Sequence, residues 1–360
     1  MLQTERMDRQ TAYSGTRETP TALQIDVPRL EAYLAQRVAG FKGPLAVALF
    51  KGGQSNPTYL LTTPARRYVL RRKPPGKLLP SAHAVEREFR ILSALYPRGF
   101  SVPEPLTLCE DESIAGTAFY VMAFADGRVF WDLPMPASNP AERAAVYDSM
   151  NATLATLHSF DPAEIGLADY GKGEDYMARQ VARWTKQYIA SETEKIAEMD
   201  ALAAWLPANL PPQRALKIVH GDYRLDNMIL AAERPELIAV IDWELSTLGD
   251  PLADFTYHLM AWEMPTMGGF GSLKDKDLAS LGIPARDDYV AAYSTRTGLD
   301  PRAQLDNYLA YNFFRLAAIV QGIVGRVRDG TAANEHAAAR ADAVRPLAEA
   351  AMHFARRAGA

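Results

Sequence analysis

Apolar residues first recur at helical spacing over Pro28 to Val38, where Leu30, Tyr33 and Leu34 share one face. Pro28 is pre-set for the first turn of that helix. The period then shortens. Leu45 to Phe50, Thr58 to Thr62 and Tyr68 to Arg71 read as strands, punctuated by Gly and Pro as antiparallel hairpins are. Helical spacing returns over Ala82 to Tyr96, which stacks Val85, Phe89, Leu92 and Tyr96. Strands follow near Pro105 to Leu108 and Thr117 to Met122. This mixture predicts an α+β lobe built around one central helix. Phe124 to Gly127 reads as a connector in which Gly127 permits a turn.

Beyond the connector the pattern is mainly helical. Ala141 to Phe160 places Val146, Met150, Leu154 and Leu157 on one stripe, and Asp175 to Ile189 and Glu192 to Leu206 continue it. Short strands near Lys217 to Val219, Met228 to Leu230 and Leu237 to Ile241 interrupt the helices. Pro251 to Trp262, Arg286 to Thr297, Pro301 to Arg326 and Ala332 to Arg357 read as further helices. The predicted division is a loosely ordered tail over residues 1–26 that packs little, a sheet lobe over 27–125 and a helical lobe over 126–360. The fold class is therefore α+β and two-lobed.

Composition narrows the function. The net charge is −4, which argues against a whole-chain nucleic-acid surface. A local basic run does stand out: Arg66, Arg67, Arg71, Arg72, Lys73 and Lys77. It suits anionic groups such as phosphates, or else a solvated strand and loop. The single cysteine, Cys109, allows no intrachain disulfide and fits a reducing compartment. There is no apolar run long enough to span a membrane and no apolar signal core in the first residues. A cytoplasmic location is the expectation, without nucleic-acid or membrane partners.

The chemistry concentrates in His220-Gly-Asp-Tyr-Arg-Leu-Asp-Asn227 and in Asp242, fifteen residues after Asn227. Asp222 sits on a loop after an apolar strand, where a carboxylate can take a proton from a substrate hydroxyl. Asn227 and Asp242 offer the oxygen ligands that magnesium prefers. Asp226 and Glu244 are nearby alternatives, read as solvent-facing or structural. Protein kinases arrange the same parts as H-R-D-x-x-x-x-N followed by a metal-binding Asp. Here Gly221 replaces the Arg and Trp243 follows the metal Asp, which points toward small-molecule kinases. His220 is read as a scaffold for the backbone around Asp242. A single His at this site argues against zinc. Asp250 and Asp254 are read as structural acids at a helix start, with Asp250 bracing the loop through Arg224.

Nucleotide phosphates also need a cation and a covering turn. Alternation on the third strand puts Tyr68 and Leu70 on one face and Val69 and Arg71 on the other. Arg71 therefore falls where a kinase places its lysine. Glu88 on the following helix is its expected partner, with Glu86 as the alternate. An Arg is a planar fork and does not simply replace a Lys. Gly52, Gly53, Gln54 and Ser55 form the candidate phosphate turn, whose glycines let backbone N–H groups approach an anion. Met122 to Ala125, including Phe124, lies where backbone groups would meet an adenine.

The ordered set G-G-Q-S-N, V-L-R, R-E-F-R-I-L, Y-V-M, V-H-G-D-Y-R-L-D-N-M-I-L and V-I-D-W-E-L-S-T-L-G-D-P-L-A-D-F resembles the aminoglycoside phosphotransferase family. Within this aminoglycoside phosphotransferase and choline-kinase-like family, it more narrowly resembles the kinase-like domain attached to some eukaryotic acyl-CoA dehydrogenases and its stand-alone bacterial relatives. V-L-R-R-K-P-P-G-K-L-L-P-S-A-H and W-T-K-Q-Y carry that narrower likeness. The resemblance implies a two-lobed kinase-like fold, ATP held between the lobes, Mg2+ at Asn227 and Asp242, and Asp222 as catalytic base. It also implies a small-molecule alcohol as acceptor, with a hydroxyacyl-CoA as the leading choice and a functional link to an acyl-CoA dehydrogenase. The departure is Arg71 in place of the usual Lys. That departure motivates an alternative, a catalytically impaired pseudokinase that binds a nucleotide or a partner. A dehydrogenase activity in this chain has no G-x-G-x-x-G to support it.

Overall fold

The computed structural model of the chain describes residues 9–52, 56–76, 83–267, 270–329 and 341–360. These divide into two units. One comprises the described residues up to 132 and those of 225–245, the other the described residues of 133–224 and 246–360.

The first unit carries α1 (Arg9–Tyr13), β1 (Thr16–Arg17), α2 (Val27–Arg37), β2 (Ala46–Phe50), β3 (Thr58–Thr62), β4 (Arg67–Arg72), α3 (Val85–Leu95), β5 (Pro105–Cys109), α4 (Glu112–Ala115), β6 (Phe119–Ala123) and β7 (Gly127–Arg128). It also takes β9 (Met228–Ala231) and β10 (Leu237–Val240) from later in the chain. Six strands form an antiparallel sheet in the order β1-β2-β3-β4-β6-β5. Asp26 starts α2 by accepting from the Arg29 N–H at 3.1 Å, an N-cap that satisfies an orphan donor. Leu30 and Leu34 of α2 then pack on Leu49, Tyr59, Leu61, Tyr68, Leu70, Phe119 and Val121. Tyr68 and Leu70 thus face this core, and Arg71 turns to α3, as the alternation predicts.

Two expectations about boundaries are corrected. Within the described part of the expected tail, residues 9–17 are packed. Thr16 and Arg17 pair with Phe50 and Leu49, the Tyr13 ring lies 4.9 Å from that of Trp131, and Gln10 Nε2 donates to the Val129 carbonyl at 2.8 Å. The second correction concerns residues 126–132 and 225–245, expected in the helical lobe. They belong with the sheet because β7 pairs with β9, the Val240 N–H donates to the Ser101 carbonyl at 2.8 Å, and Trp243 meets Phe100 edge-on. Gly127 is needed for this pairing rather than for a turn, since a Cβ there would strike the Leu230 carbonyl oxygen. Two-residue strands such as β1 and β7 are too short to leave a periodic signal.

The second unit is built from α5 (Pro140–Ser159), α6 (Tyr176–Ser191), α7 (Ala197–Trp205), α8 (Pro251–Leu259), α9 (Leu278–Leu281), α10 (Arg286–Thr297), α11 (Leu305–Arg328) and α12 (Val344–Arg357). Strands β8 (Lys217–Val219) and β11 (Thr247–Gly249) pair antiparallel beside them. The predicted stripe of α5 is buried, with Val146, Met150, Leu154 and Leu157 inaccessible. The last helix begins at Val344, and residues 332–340 of its expected span lie outside the described residues. α11 forms the centre of the unit, packing against α6, α8 and α12.

Candidate active site

The hairpin of β9 and β10 brings Asn227 and Asp242 to the same end. Asn227 precedes β9, Asp242 follows β10, and the Ile241 N–H donates to the Asn227 carbonyl at 3.0 Å. Asn227 is buried and Asp242 is partly exposed. Asp242 adopts φ +66°, a left-handed conformation that costs a non-glycine residue energy and that the surrounding fold must enforce. Trp243 occupies the next position. Its ring is buried and its indole N–H donates to the Val240 carbonyl at 3.0 Å. The oxygen donors of Asn227 and Asp242 suit a hard cation that completes its shell with phosphates and water. Among the described residues no cluster of three or more His, Cys, Asp or Glu side chains could hold a metal, so an all-carboxylate or zinc-type cage is absent there.

Arg71 reaches this hairpin from β4. Its Nη2 lies 2.5 Å from Asp242 Oδ1 and 3.5 Å from Glu244 Oε2, while its Nε lies 2.9 Å from Glu88 Oε2. The guanidinium fork thus spans two elements that one ammonium group would have to choose between. Burial opposes the charge of Arg71, but Asp242, Glu88 and Glu244 outweigh it and hold the guanidinium protonated. Glu88 is itself saturated with donors, from Asn56 Nδ2 at 3.0 Å and the Tyr120 hydroxyl at 3.2 Å. Glu86, the alternate partner, instead pairs with Lys73 at 2.9 Å. Glu244, read from the sequence as solvent-facing or structural, is the third acid of the Arg71 network.

Asp222 lies on the loop after β8, in the other unit. Gly221 before it takes φ +82°, which a glycine adopts without cost. Asp222 Oδ1 accepts from the Tyr257 hydroxyl at 2.6 Å and pairs with Arg224 Nε at 3.0 Å. Burial pushes the Asp222 carboxyl up, yet Arg224, Tyr257, His220 and Arg315 together hold it below the usual carboxylate range. The loop backbone is tied down by Asp254, whose carboxylate accepts the N–H of His220 at 2.7 Å and of Gly221 at 2.8 Å. Asp250 instead caps α8 through the Leu252 N–H at 2.8 Å and accepts from the Tyr308 hydroxyl at 3.0 Å. The bracing acid is therefore Asp254, not Asp250 acting through Arg224. His220 Nδ1 receives the Asp222 N–H at 3.2 Å.

The remaining sequence candidates fall as follows. Gly53, Gln54 and Ser55 lie outside the described residues, as does Lys77. Gly52 lies two residues after β2, where a Cβ would lie 3.4 Å from the Trp131 ring and from the Tyr13 carbonyl. Met122 is buried in β6 and pairs with Val69. The N–H groups of Ala123 and Phe124 are already bonded, to the carbonyls of Glu104 at 2.9 Å and Arg67 at 3.4 Å. The Phe124 ring carries the Arg67 guanidinium 4.2 Å from its centre. Most of the basic run is consumed locally: Arg66 pairs with Glu104, Arg67 with Asp126, and Arg72 donates to the carbonyls of Ala115 and Leu23. Tyr257 and Arg315 were missed in the sequence, and Asn56, the last residue of the glycine turn, was not read as a partner of Glu88. Tyr257 had a usable signal, since it lies three residues after Asp254 on one helix face.

Residues 46–305 match the APH phosphotransferase enzyme family. A crystal structure from Ralstonia eutropha, named for the aminoglycoside phosphotransferases, is 47% identical with a TM-score of 0.84, covering 93% of this chain and 99% of that one. Acyl-CoA dehydrogenase family member 10 of Mus musculus is 44% identical over 96% of this chain and 32% of its own length. The chain spans less than half the length of the curated relatives it matches. A thermostable mutant of an aminoglycoside phosphotransferase, solved with ADP and hygromycin B, shares the fold at TM-score 0.57 and 15% identity, covering 92% of this chain and 98% of that one. The chain belongs to the APH phosphotransferase enzyme family and has its kinase-like fold of an antiparallel sheet lobe and a helical lobe.

Proposed function

We propose that this protein is an ATP-dependent kinase that phosphorylates the hydroxyl of a small molecule. The observation that carries this reading is Arg71, a buried cation fixed by Glu88 and reaching Asp242. Arg71 suggested a degenerate kinase when met in the sequence. Its ion pair with the α3 acid is the arrangement that an active kinase keeps, so the active reading is preferred. In that reading Arg71 donates to the nucleotide phosphates, and Asn227 and Asp242 hold magnesium. When bound, the metal neutralises phosphate charge. Asp222 orients the acceptor hydroxyl and takes its proton. The acceptor oxygen bonds to the γ-phosphorus as the bond to the β,γ-bridging oxygen breaks, and ADP leaves. The adenine would use backbone groups of the Met122 to Ala125 stretch other than the two N–H groups already bonded. ADP in a solved relative of the same fold supports the choice of nucleotide.

For the acceptor we favour a hydroxyacyl-CoA. Two arginines, Arg224 and Arg315, act on Asp222, and both favour an acceptor with anionic groups over the cationic aminoglycosides. The names of the relatives point the same way and suggest a functional link to an acyl-CoA dehydrogenase. The test is ADP release in the presence of ATP, magnesium and a panel of 4-hydroxyacyl-CoAs, free hydroxy acids, choline and aminoglycosides. Acceptor-dependent release with the thioesters, lost in Asp222→Asn, is expected. Release with no member of the panel, or release that survives Asp222→Asn, overturns the reading.

A further inference from the structure

One face of α8 holds four consecutive residues of the loop that carries Asp222. Asp254 takes the backbone N–H groups of His220 and Gly221. Three residues on, Tyr257 donates its hydroxyl to Asp222 Oδ1 at 2.6 Å. The next residue, His258, places Nδ1 at 3.2 Å from the Tyr223 carbonyl. This is the i, i+3, i+4 stripe of a helix, used here for polar contacts instead of packing. From α11, Arg315 donates Nη2 to the Gly221 carbonyl at 2.7 Å, and its guanidinium carbon lies 5.0 Å from the centre of the Tyr257 ring.

A carboxylate on a loop can rotate about its last torsion, and a rotating base is badly aimed. Here Oδ1 is held from two sides, by the Tyr257 hydroxyl and by Arg224 Nε. Tyr257 is 6% exposed and Arg315, beneath its ring, 5%, so the Tyr257 contact is made in a desolvated setting where it is strongest, whereas the Arg224 side chain is 41% exposed. We propose that Tyr257, seated on Arg315, is a positioning residue that fixes the orientation of the Asp222 carboxylate toward the acceptor hydroxyl. The proposal rests on the reading of Asp222 as the base. Arg224 and His220 from the loop, Tyr257 from α8 and Arg315 from α11 face Asp222, and all favour its charged form against burial. Asp222, Arg224 and Arg315 face Tyr257, whose hydroxyl burial pushes far up, so it remains a donor at every working pH. The base is thereby well placed and weakly basic, which suits a loose transition state in which the hydroxyl need only be oriented.

The test needs no acceptor. The Asp222 side-chain carboxyl carbon is labelled, assigned by its loss in Asp222→Asn, and followed by NMR from pH 8 down to the onset of acid unfolding. In Tyr257→Phe, which keeps the ring on Arg315, the Asp222 titration is expected to move up by about half to one pH unit. Should that variant fail to fold, Arg315→Lys replaces it; this variant keeps the charge and loses the fork, and the expected rise is smaller. Superimposable titrations of the wild type and a folded variant overturn the proposal. Failure of Asp222 as the base is read separately, as ADP release that survives Asp222→Asn.

Discussion

Asp242 and Asp222, the two acids singled out by the sequence, are held by opposite means. Asp242, in the sheet unit, is held by charge: Arg71 is shared among Asp242, Glu88 and Glu244, and the backbone bends into a left-handed turn to present the acid. Asp222, in the helical unit, is held by a template, as α8 ties down its loop through Asp254, Tyr257 and His258. A charge network tolerates an incoming cation, because a carboxylate keeps lone pairs beyond those one arginine takes. A template of hydrogen bonds gives orientation. The difference matches the proposed roles, in which Asp242 would share its oxygens with a metal and Asp222 would point at one hydrogen.

The sharpest way to break this comparison is to remove one function at a time. Asp222→Asn keeps size and most hydrogen bonding but cannot accept the proton. A loss in kcat of about 10²–10⁴-fold is expected, with nucleotide affinity unchanged. Steady-state ADP release and nucleotide titration measure the two quantities. An equal loss of nucleotide affinity would show that Asp222 belongs to the phosphate site.

Glu88→Ala probes the charge network. It leaves Arg71 buried with one strong partner gone, and breaking such a pair costs about 3–5 kcal/mol. Urea unfolding reads the loss as a lower midpoint at unchanged slope. The template side should respond to pH instead. His258 is buried and pushed down to about 4, chiefly by desolvation, so the folded state holds it neutral. The unfolded chain binds that proton near pH 6.5. Stability from this residue is therefore complete above pH 6.5 and is lost as pH falls toward 4, by about 3 kcal/mol. His258→Gln keeps a donor and an acceptor and should flatten that stretch of the stability curve.

The sequence was most legible where periodicity and chemistry coincide. α2, α5 and α10 lie within a residue or two of their predicted spans because their apolar stripes are buried, and Arg71 and Glu88 meet as strand alternation and helix position imply. The domain boundary was not legible. It depends on the pairing of two-residue β7 with a strand about a hundred residues later, and no local pattern encodes a partner at that separation. The role of Asp254 was missed for a related reason. An acid in the first turn of a helix has a sufficient local explanation in the helix dipole, which hides its bonds to a loop more than thirty residues earlier.

The smallest expected effect gives the finest comparison, because each carboxylate system contains one tyrosine that donates to it. Tyr120 donates to Glu88 at 3.2 Å and Tyr257 to Asp222 at 2.6 Å, and both hydroxyls are pushed up by burial. Glu88 keeps Arg71 and Asn56 when Tyr120 is changed to Phe, so its orientation is over-determined. Tyr120→Phe should then cost about 1–2 kcal/mol of stability and leave nucleotide KM and the pH profile of turnover alone. Tyr257→Phe should instead shift the pH profile of turnover, because Arg224 is a partly exposed partner and cannot hold the Asp222 carboxylate plane alone. Thermal unfolding set beside pH–rate profiles of both variants measures the contrast. A tyrosine that supports charge is replaceable by its neighbours, whereas one that aims a base is not, and two variants with the same profile would erase that distinction.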